Sequence, residues 1–401
     1  VKLLKIIARA LVLPVLVLLT FLGVAFAITA AVPEYKDSAG DDNYTQKIRG
    51  LYLLGQSAAK SDNIIIYGSS ELRTLEISTN PANFFAGKRA GFQVNLIGRG
   101  SCQSLTHAMS IAASGDSLTG GKVVLITSPQ SYVKDGIAAD LFMANFSAQQ
   151  YLELMADDGL SPEIKKDISR RAAELLGQYK ALHGSAGADN AVMYLAQHNA
   201  NPGAISTLRN AVTAPYYSFM RYAYGLKDKA ASGRLLESLR EAEESAPLRE
   251  IDWAREESAA IEEARLMTGN NDFGILDDYY TTYIGTRLGR QKDKDAGLDY
   301  SVSKEYGDLR ILFEVCRQKG IEPLFVHVPL HGQWSDYTGF TAQRRQAYYE
   351  NVKKIAEEYA IEILDLTGYE YEQYFLCDIM HLGWKGWLEV DKALVGFYNS
   401  R

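Results

Sequence analysis

The chain has 401 residues, 47% of them apolar and 23% charged, with a net charge of −7. That balance excludes a disordered tail, a collagen-like fibre and a polytopic membrane protein. No basic block stands out, which argues against a nucleic-acid partner; three cysteines (Cys102, Cys316, Cys377) without a CxxC pair exclude a disulfide framework and a zinc–cysteine cluster.

Residues 10–32 carry no charge. As a helix this stretch is about 34 Å long, enough to cross a bilayer core of about 30 Å. Pro14 falls in its first turns, where a helix tolerates proline best. Lys2, Lys5 and Arg9 precede it, and Glu34, Asp37, Asp41 and Asp42 follow. The positive-inside rule then expects residues 1–9 in the cytoplasm and the chain beyond 32 outside. Ala25-Phe26-Ala27 resembles a signal-peptidase site, so a cleaved signal peptide is the alternative. Signal-peptide apolar regions run about 7–15 residues, which favours a retained anchor here. Both readings export the rest.

Residues 33–60 read as a polar stalk leading into a first helix, and 61–401 as one α/β domain. The β-branched run 63–67 is stopped by Gly68 and reads as a buried strand. Further strands are expected at 92–96 and 122–126, with a helix at 105–113 between them. Strand, helix, strand at this spacing points to a parallel sheet with right-handed crossovers. From about 142 to 288 the chain is rich in Ala, Leu, Glu, Arg and Tyr and lacks clear strands, which reads as a long helical insertion; 252–267, for example, is mostly helix-forming residues. The α/β pattern returns with a helix at 306–319, a strand at 323–328, a helix at 342–359, a strand at 361–364 and a final helix at 387–398.

In a parallel α/β sheet, sites gather at the carboxyl ends of the strands. After the first strand stands Gly68-Ser69-Ser70-Glu71-Leu72. Taken alone this is also the pattern of a helix-capping serine, and it is not a G-x-S-x-G elbow, because Leu72 replaces the second glycine. Before the last helix stands Asp378-Ile379-Met380-His381. An acid three residues before a histidine can hold one ring nitrogen and leave the other as a base. Together the segments supply the three parts of nucleophilic acyl transfer: Ser70 as nucleophile, His381 as base, Asp378 to stabilise the imidazolium. Oxyanion donors are expected from the Ser70 N–H and from Gly98-Arg99-Gly100, with Gln130 as a side-chain donor and Ser69 beside them. Asp365 is the rival acid. His327 and His331 lack carboxylate partners for a metal, and Trp384 and Trp387 read as packing anchors for the last helix. Arg73, Lys88, Arg89 and Arg99 lie near these segments in sequence and are candidate contacts for phosphate.

These segments resemble the SGNH (GDSL-type) hydrolases and transferases. Gly68-Ser69-Ser70 looks like their Gly-Asp-Ser block, Gly98 or Gly100 like the block-two glycine, and Asp378-x-x-His381 like the terminal block. Ser128-Pro129-Gln130 stands where the block-three asparagine is expected. Within that group the chain is similar to the DltD family, the D-alanyl-lipoteichoic acid biosynthesis proteins. Gly-Ser-Ser-Glu-Leu at 68–72, Gln103-Ser104-Leu105, Ser128-Pro129-Gln130, Asp336-Tyr337-Thr338-Gly339 and Met380-His381-Leu382-Gly383-Trp384-Lys385-Gly386-Trp387 carry the likeness. The resemblance implies an SGNH-like three-layer parallel sheet with the helical insertion, preceded by the transmembrane helix. It also implies an extracellular role in placing D-alanine esters on a teichoic acid acceptor. The implied partners are a membrane-bound O-acyltransferase (DltB-like) and, indirectly, a cytoplasmic D-alanyl carrier. No cofactor and no metal are expected. A secreted esterase and a non-catalytic, polymer-presenting subunit are the alternatives.

Overall fold

The computed structural model describes residues 16–17, 19–184, 190–203, 205–241, 247 and 250–400. The expected cytoplasmic segment 1–9 and positions 10–15 and 18 of the expected span lie outside the described residues. The rest of that stretch is helical as far as residue 30. Among the described residues no helix is long and apolar enough to cross a membrane.

Five strands form one sheet: β1 (Asn63–Tyr67), β2 (Gln93–Ile97), β3 (Lys122–Thr127), β4 (Glu322–His327) and β5 (Glu362–Asp365). Every pairing is parallel and the order is β2-β1-β3-β4-β5. Each strand lies within one residue of its expected position. The central strands are runs of Ile, Val and Leu because both faces of the sheet are covered. Alternate side chains enter different cores: Ile64, Ile66, Leu96, Val124 and Ile126 on one face, Ile65, Tyr67, Val123 and Leu125 on the other. The first core is closed by the helices Trp253–Met267 and Trp384–Asn399. The second is closed by Ser104–Ala112, Glu305–Gln318 and Ala342–Glu358.

Between β3 and β4 the described residues contain helices and no strand, beginning with Ala139–Asn145, Ala148–Ala156 and Pro162–His183. Phe142, Tyr151 and Leu175 of this insertion are buried in the second core, continuous with Leu125 and Phe325 of the sheet.

Residues 33–60 differ from the polar stalk expected of them. The turn Asp37–Gly40 and the helices Thr45–Ile48 and Tyr52–Ala58 lie against the body, with Ala39 and Leu53 fully buried. The reason is that β2 is an edge strand whose backbone needs cover. Gly40 approaches it so closely that an added Cβ would lie 2.3 Å from the Val94 carbonyl oxygen. Lys47, fully buried, donates to the carbonyls of Gly40 (3.1 Å) and Asp42 (2.6 Å) and ties this cover down.

Candidate active site

The sheet positions the site through two glycines. The Gly68 N–H donates to the Ile97 carbonyl (3.1 Å), which carries the pairing of β1 with β2 one residue past the ladder. Gly98, at φ +151°, lies flat against Gly68; a Cβ there would sit 1.7 Å from the Gly68 carbonyl oxygen. No other residue fits this approach. It sets Ser69 and Ser70 beside the loop 98–101, and Ser70 opens the short turn Ser70–Arg73.

The acid and the histidine sit on a tight turn. The Cys377 N–H donates to the His381 carbonyl (2.9 Å), and Leu376 bridges Leu382 antiparallel. One oxygen of Asp378 accepts the backbone N–H groups of Met380 and His381, each at 2.8 Å. The other oxygen lies 2.6 Å from His381 Nδ1. His381 Nε2 lies 2.7 Å from Ser70 Oγ. A carboxylate can only accept, so Nδ1 carries the proton and Nε2 presents its lone pair to the serine hydroxyl; the tautomer is assigned from these partners. Burial works against the imidazolium. The Asp378 hydrogen bond and charge, with Glu71 and Glu76 adding, outweigh it and hold the His381 pKa above its ordinary value.

The two segments are 311 residues apart in sequence and are joined by the last helix. The Trp387 indole donates to Thr74 Oγ1 (3.0 Å), and Thr79 Oγ1 donates to the Trp384 carbonyl (2.9 Å). Both tryptophans are fully buried, the packing role expected of them.

The remaining expected residues divide. Ser69 is fully buried and hydrogen-bonded into the loop framework. Its N–H donates to Glu71 Oε1 (2.6 Å), and its Oγ accepts the Ser101 N–H (3.0 Å). That second bond holds Ser101 at φ +68°, in the left-handed region. Gly98 is likewise buried and shapes the loop. Gly100 is exposed, and the N–H groups of Ser70 and Gly100 form no hydrogen bond within the described residues. Arg99 turns to the insertion, bonding Asn145 Oδ1 (2.8 Å) and the Ala144 carbonyl (2.6 Å). Gln130 is half-buried at the end of β3.

Of the cations considered for phosphate, Lys88 pairs with Asp37 and Asp62, and Arg89 with Glu256. Arg73 is exposed beside Ser70. Asp365 binds Lys353 (2.5 Å) and Thr367 (2.6 Å), not the histidine of the relay. His327 is fully buried and pushed down to about 3 by that burial. His331 caps the helix Gly332–Thr338: its Nδ1 accepts the Trp334 N–H (3.2 Å) and its Nε2 donates to the Phe273 carbonyl (3.0 Å). Among the described residues no group of three or more His, Cys, Asp or Glu is placed to hold a metal ion.

Two contributors escaped the sequence reading. Glu71 stood in the motif without a role, and it holds the Ser69 N–H from a buried position. Asn145, fully buried, donates to the Gly100 carbonyl (3.1 Å) while accepting from Arg99. Nothing in the local sequence around 145 marks this role, because Gly100 and Arg99 are 45 and 46 residues away.

Ser70, His381 and Asp378 thus stand in hydrogen-bonded sequence beyond the carboxyl ends of the parallel strands. The family model described as DltD protein matches residues 41–399, and the chain belongs to the DltD family. It is 34% identical over 355 residues to Protein DltD of Bacillus subtilis (strain 168), covering 88% of this chain and 86% of that one. It is 27% identical over 360 residues to Protein DltD of Staphylococcus aureus, covering 88% and 86%. With Protein DltD of Lacticaseibacillus rhamnosus the identity is 25%, covering 86% and 80%.

Proposed function

We propose that this chain is a membrane-anchored, extracellular acyltransferase that places D-alanine as an ester on teichoic acid, through Ser70, His381 and Asp378. The observation that carries the reading is the unbroken relay, Ser70 Oγ to His381 Nε2 at 2.7 Å and His381 Nδ1 to Asp378 at 2.6 Å. Membership of the DltD family supports the substrate class. The uncharged stretch 10–32, with cations before it and acids after, supports the anchor and the topology. The fold type is that of an SGNH-like enzyme, with residues 61–401 as the exported domain and the helices from about 142 to 288 as its insertion.

Ser70 Oγ attacks the carbonyl of a D-alanyl donor while His381 Nε2 takes its proton. In this reading the Ser70 and Gly100 N–H groups and the Gln130 amide are the donors to the charge that develops on the carbonyl oxygen. The donor's leaving group departs with the proton from His381 and leaves D-alanine esterified to Ser70. An acceptor hydroxyl then gives its proton to His381 and attacks the same carbonyl, and His381 returns that proton to Ser70 Oγ as the ester bond to Ser70 breaks. Exchange of one ester for another is near balanced, so the site must favour the polymer hydroxyl over water. A membrane-bound O-acyltransferase beside the anchor, drawing on a cytoplasmic D-alanyl carrier, is the partner that brings the acyl group across the membrane.

The test is a D-alanyl ester donor given to the full chain with and without teichoic acid. A transferase forms new polymer ester and little free D-alanine. Release of free D-alanine at the same rate with or without polymer makes the protein an esterase.

A further inference from the structure

The carboxylates of Asp378, Glu71 and Glu76 each act on the charge of the His381 ring. The first two are engaged. Asp378 gives one oxygen to the turn and the other to His381 Nδ1, and Glu71 is buried with an oxygen on the Ser69 N–H. Glu76 differs. It is exposed, and its carboxylate forms no hydrogen bond or ion pair within the described residues. Cations close to it in the motifs leave it unneutralised. Arg73, three residues earlier on the turn that begins at Ser70, is exposed and is not paired with it. Lys385, just past His381, is held by Glu372 and Glu257.

The fold fixes the position of Glu76 without using its side chain. The Ile77 N–H donates to the Thr74 carbonyl (3.2 Å), which closes a four-residue turn with Leu75 and Glu76 at its corners. Ile77 is fully buried and fastens that turn to the first core. Thr74 and Thr79, on either side of Glu76, are the residues bonded to the Trp387 indole (3.0 Å) and the Trp384 carbonyl (2.9 Å). Those tryptophans stand three and six residues past His381. The turn therefore shares one frame with the relay. The charge of Glu76 is also felt at Cys377, the residue before Asp378. The result is a carboxylate held beside the catalytic base with its oxygens open to a ligand.

The acyl group of the reaction above carries a cation. In a D-alanyl ester the α-amino nitrogen stands two bonds from the carbonyl carbon, and it is protonated at neutral pH. When that carbon meets Ser70 Oγ, the ammonium lies among the groups that surround Ser70 and His381. The relay has no oxygen free for it, and the imidazolium that forms repels it. We propose that Glu76 receives the ammonium of the acyl group, and that Ser70 thereby selects aminoacyl esters over uncharged acyl esters. This deepens the acyltransferase reading and rests on it. Ammonium to carboxylate is a charge-assisted hydrogen bond, and the substrate that forms it also screens the carboxylate from water.

The test gives the full chain two esters of one chromogenic phenol, D-alanyl and propionyl, which differ only in the ammonium. Release of the phenol gives kcat/KM for each, and the readout is their ratio. Relative to the native chain, Glu76→Gln should lower the D-alanyl to propionyl ratio by about five- to tenfold. Glu76→Asp, which keeps the charge on a shorter stem, should recover part of it. Any change in the basicity of His381 acts on both esters and cancels in the ratio. A ratio that Glu76→Gln leaves at the native value overturns the proposal, whether the two esters slow together or not at all, and the acyltransferase reading survives. Phenol release by Ser70→Ala at the native rate from both esters sinks that reading, and the proposal falls with it.

Discussion

Asp378→Asn separates chemistry from folding because the two oxygens of Asp378 do different work. One accepts two backbone N–H groups that shape the turn, and the other meets His381 Nδ1. An asparagine keeps its single oxygen on the backbone pair, so its NH2 faces the ring. The ring then accepts at Nδ1 and carries its proton on Nε2, where it can no longer take the Ser70 proton. A wrong-tautomer histidine costs about 10⁴ in rate in a comparable relay, which is about 5.5 kcal/mol of transition-state stabilisation. Stability should fall far less, by about 1 kcal/mol, since the backbone bonds survive. Asp378→Ala, which loses all three bonds, should instead lose about 2–3 kcal/mol of stability. The assay is the rate at which a fluorophosphonate esterifies Ser70: Oγ bonds to phosphorus, fluoride leaves, and His381 takes the serine proton. Thermal unfolding is measured alongside. An asparagine variant that reacts within about tenfold of the native chain would refute the relay as the source of Ser70 reactivity.

Three further outcomes follow from the same geometry. Gly98→Ala places a methyl 1.7 Å from the Gly68 carbonyl oxygen, and it should cost about 2–4 kcal/mol in denaturant unfolding, as overpacking a rigid site does. Asn145→Ala should lower stability by about 2 kcal/mol and slow turnover more than it raises KM. Asn145→Asp, which can still accept from Arg99 but cannot donate to Gly100, should recover stability without recovering turnover. Since the neutral form of His381 is the base and its pKa is raised, activity should fall as pH drops through a value above 6.5. Glu76→Gln removes a charge that favours the imidazolium, so the acid limb of the profile should move to lower pH.

The strands were legible because a two-sided parallel sheet requires continuous β-branched runs, and 63–67 and 122–126 are such runs bounded by Gly68 and by Ser128-Pro129. Ser70 drew attention because it follows the first strand, where a parallel sheet exposes side chains, and Asp378 and His381 by their spacing ahead of the last helix; the fold brings the three within hydrogen-bond reach. What sequence could not supply is commitment. Ser69 and Arg99 are polar and close to Ser70 in the motifs, yet their hydrogen bonds are spent on Ser101, Glu71 and Asn145. Only the fold reveals those partners. The start of the last helix was misplaced by three residues, at 387 and not Trp384, because Gly383 and Gly386 look like breakers. Both are required by contact instead: a Cβ on Gly383 would lie 2.7 Å from the Cys377 nitrogen, and one on Gly386 2.3 Å from the Phe375 carbonyl oxygen. Residues 33–60 looked like a stalk because their polar composition hides a few apolar contacts, Ala39 and Leu53 packing with Leu236 of the helix Ser206–Ser238.

The most direct measurement of the central claim is the D-alanine ester content of teichoic acid in cells whose only copy of this protein carries Ser70→Ala, with the variant shown to be folded and at native abundance in the membrane. The account predicts that the ester falls to the level measured in cells lacking the protein altogether. Ester at the native level would contradict it and leave the chain a polymer-presenting partner without chemistry of its own.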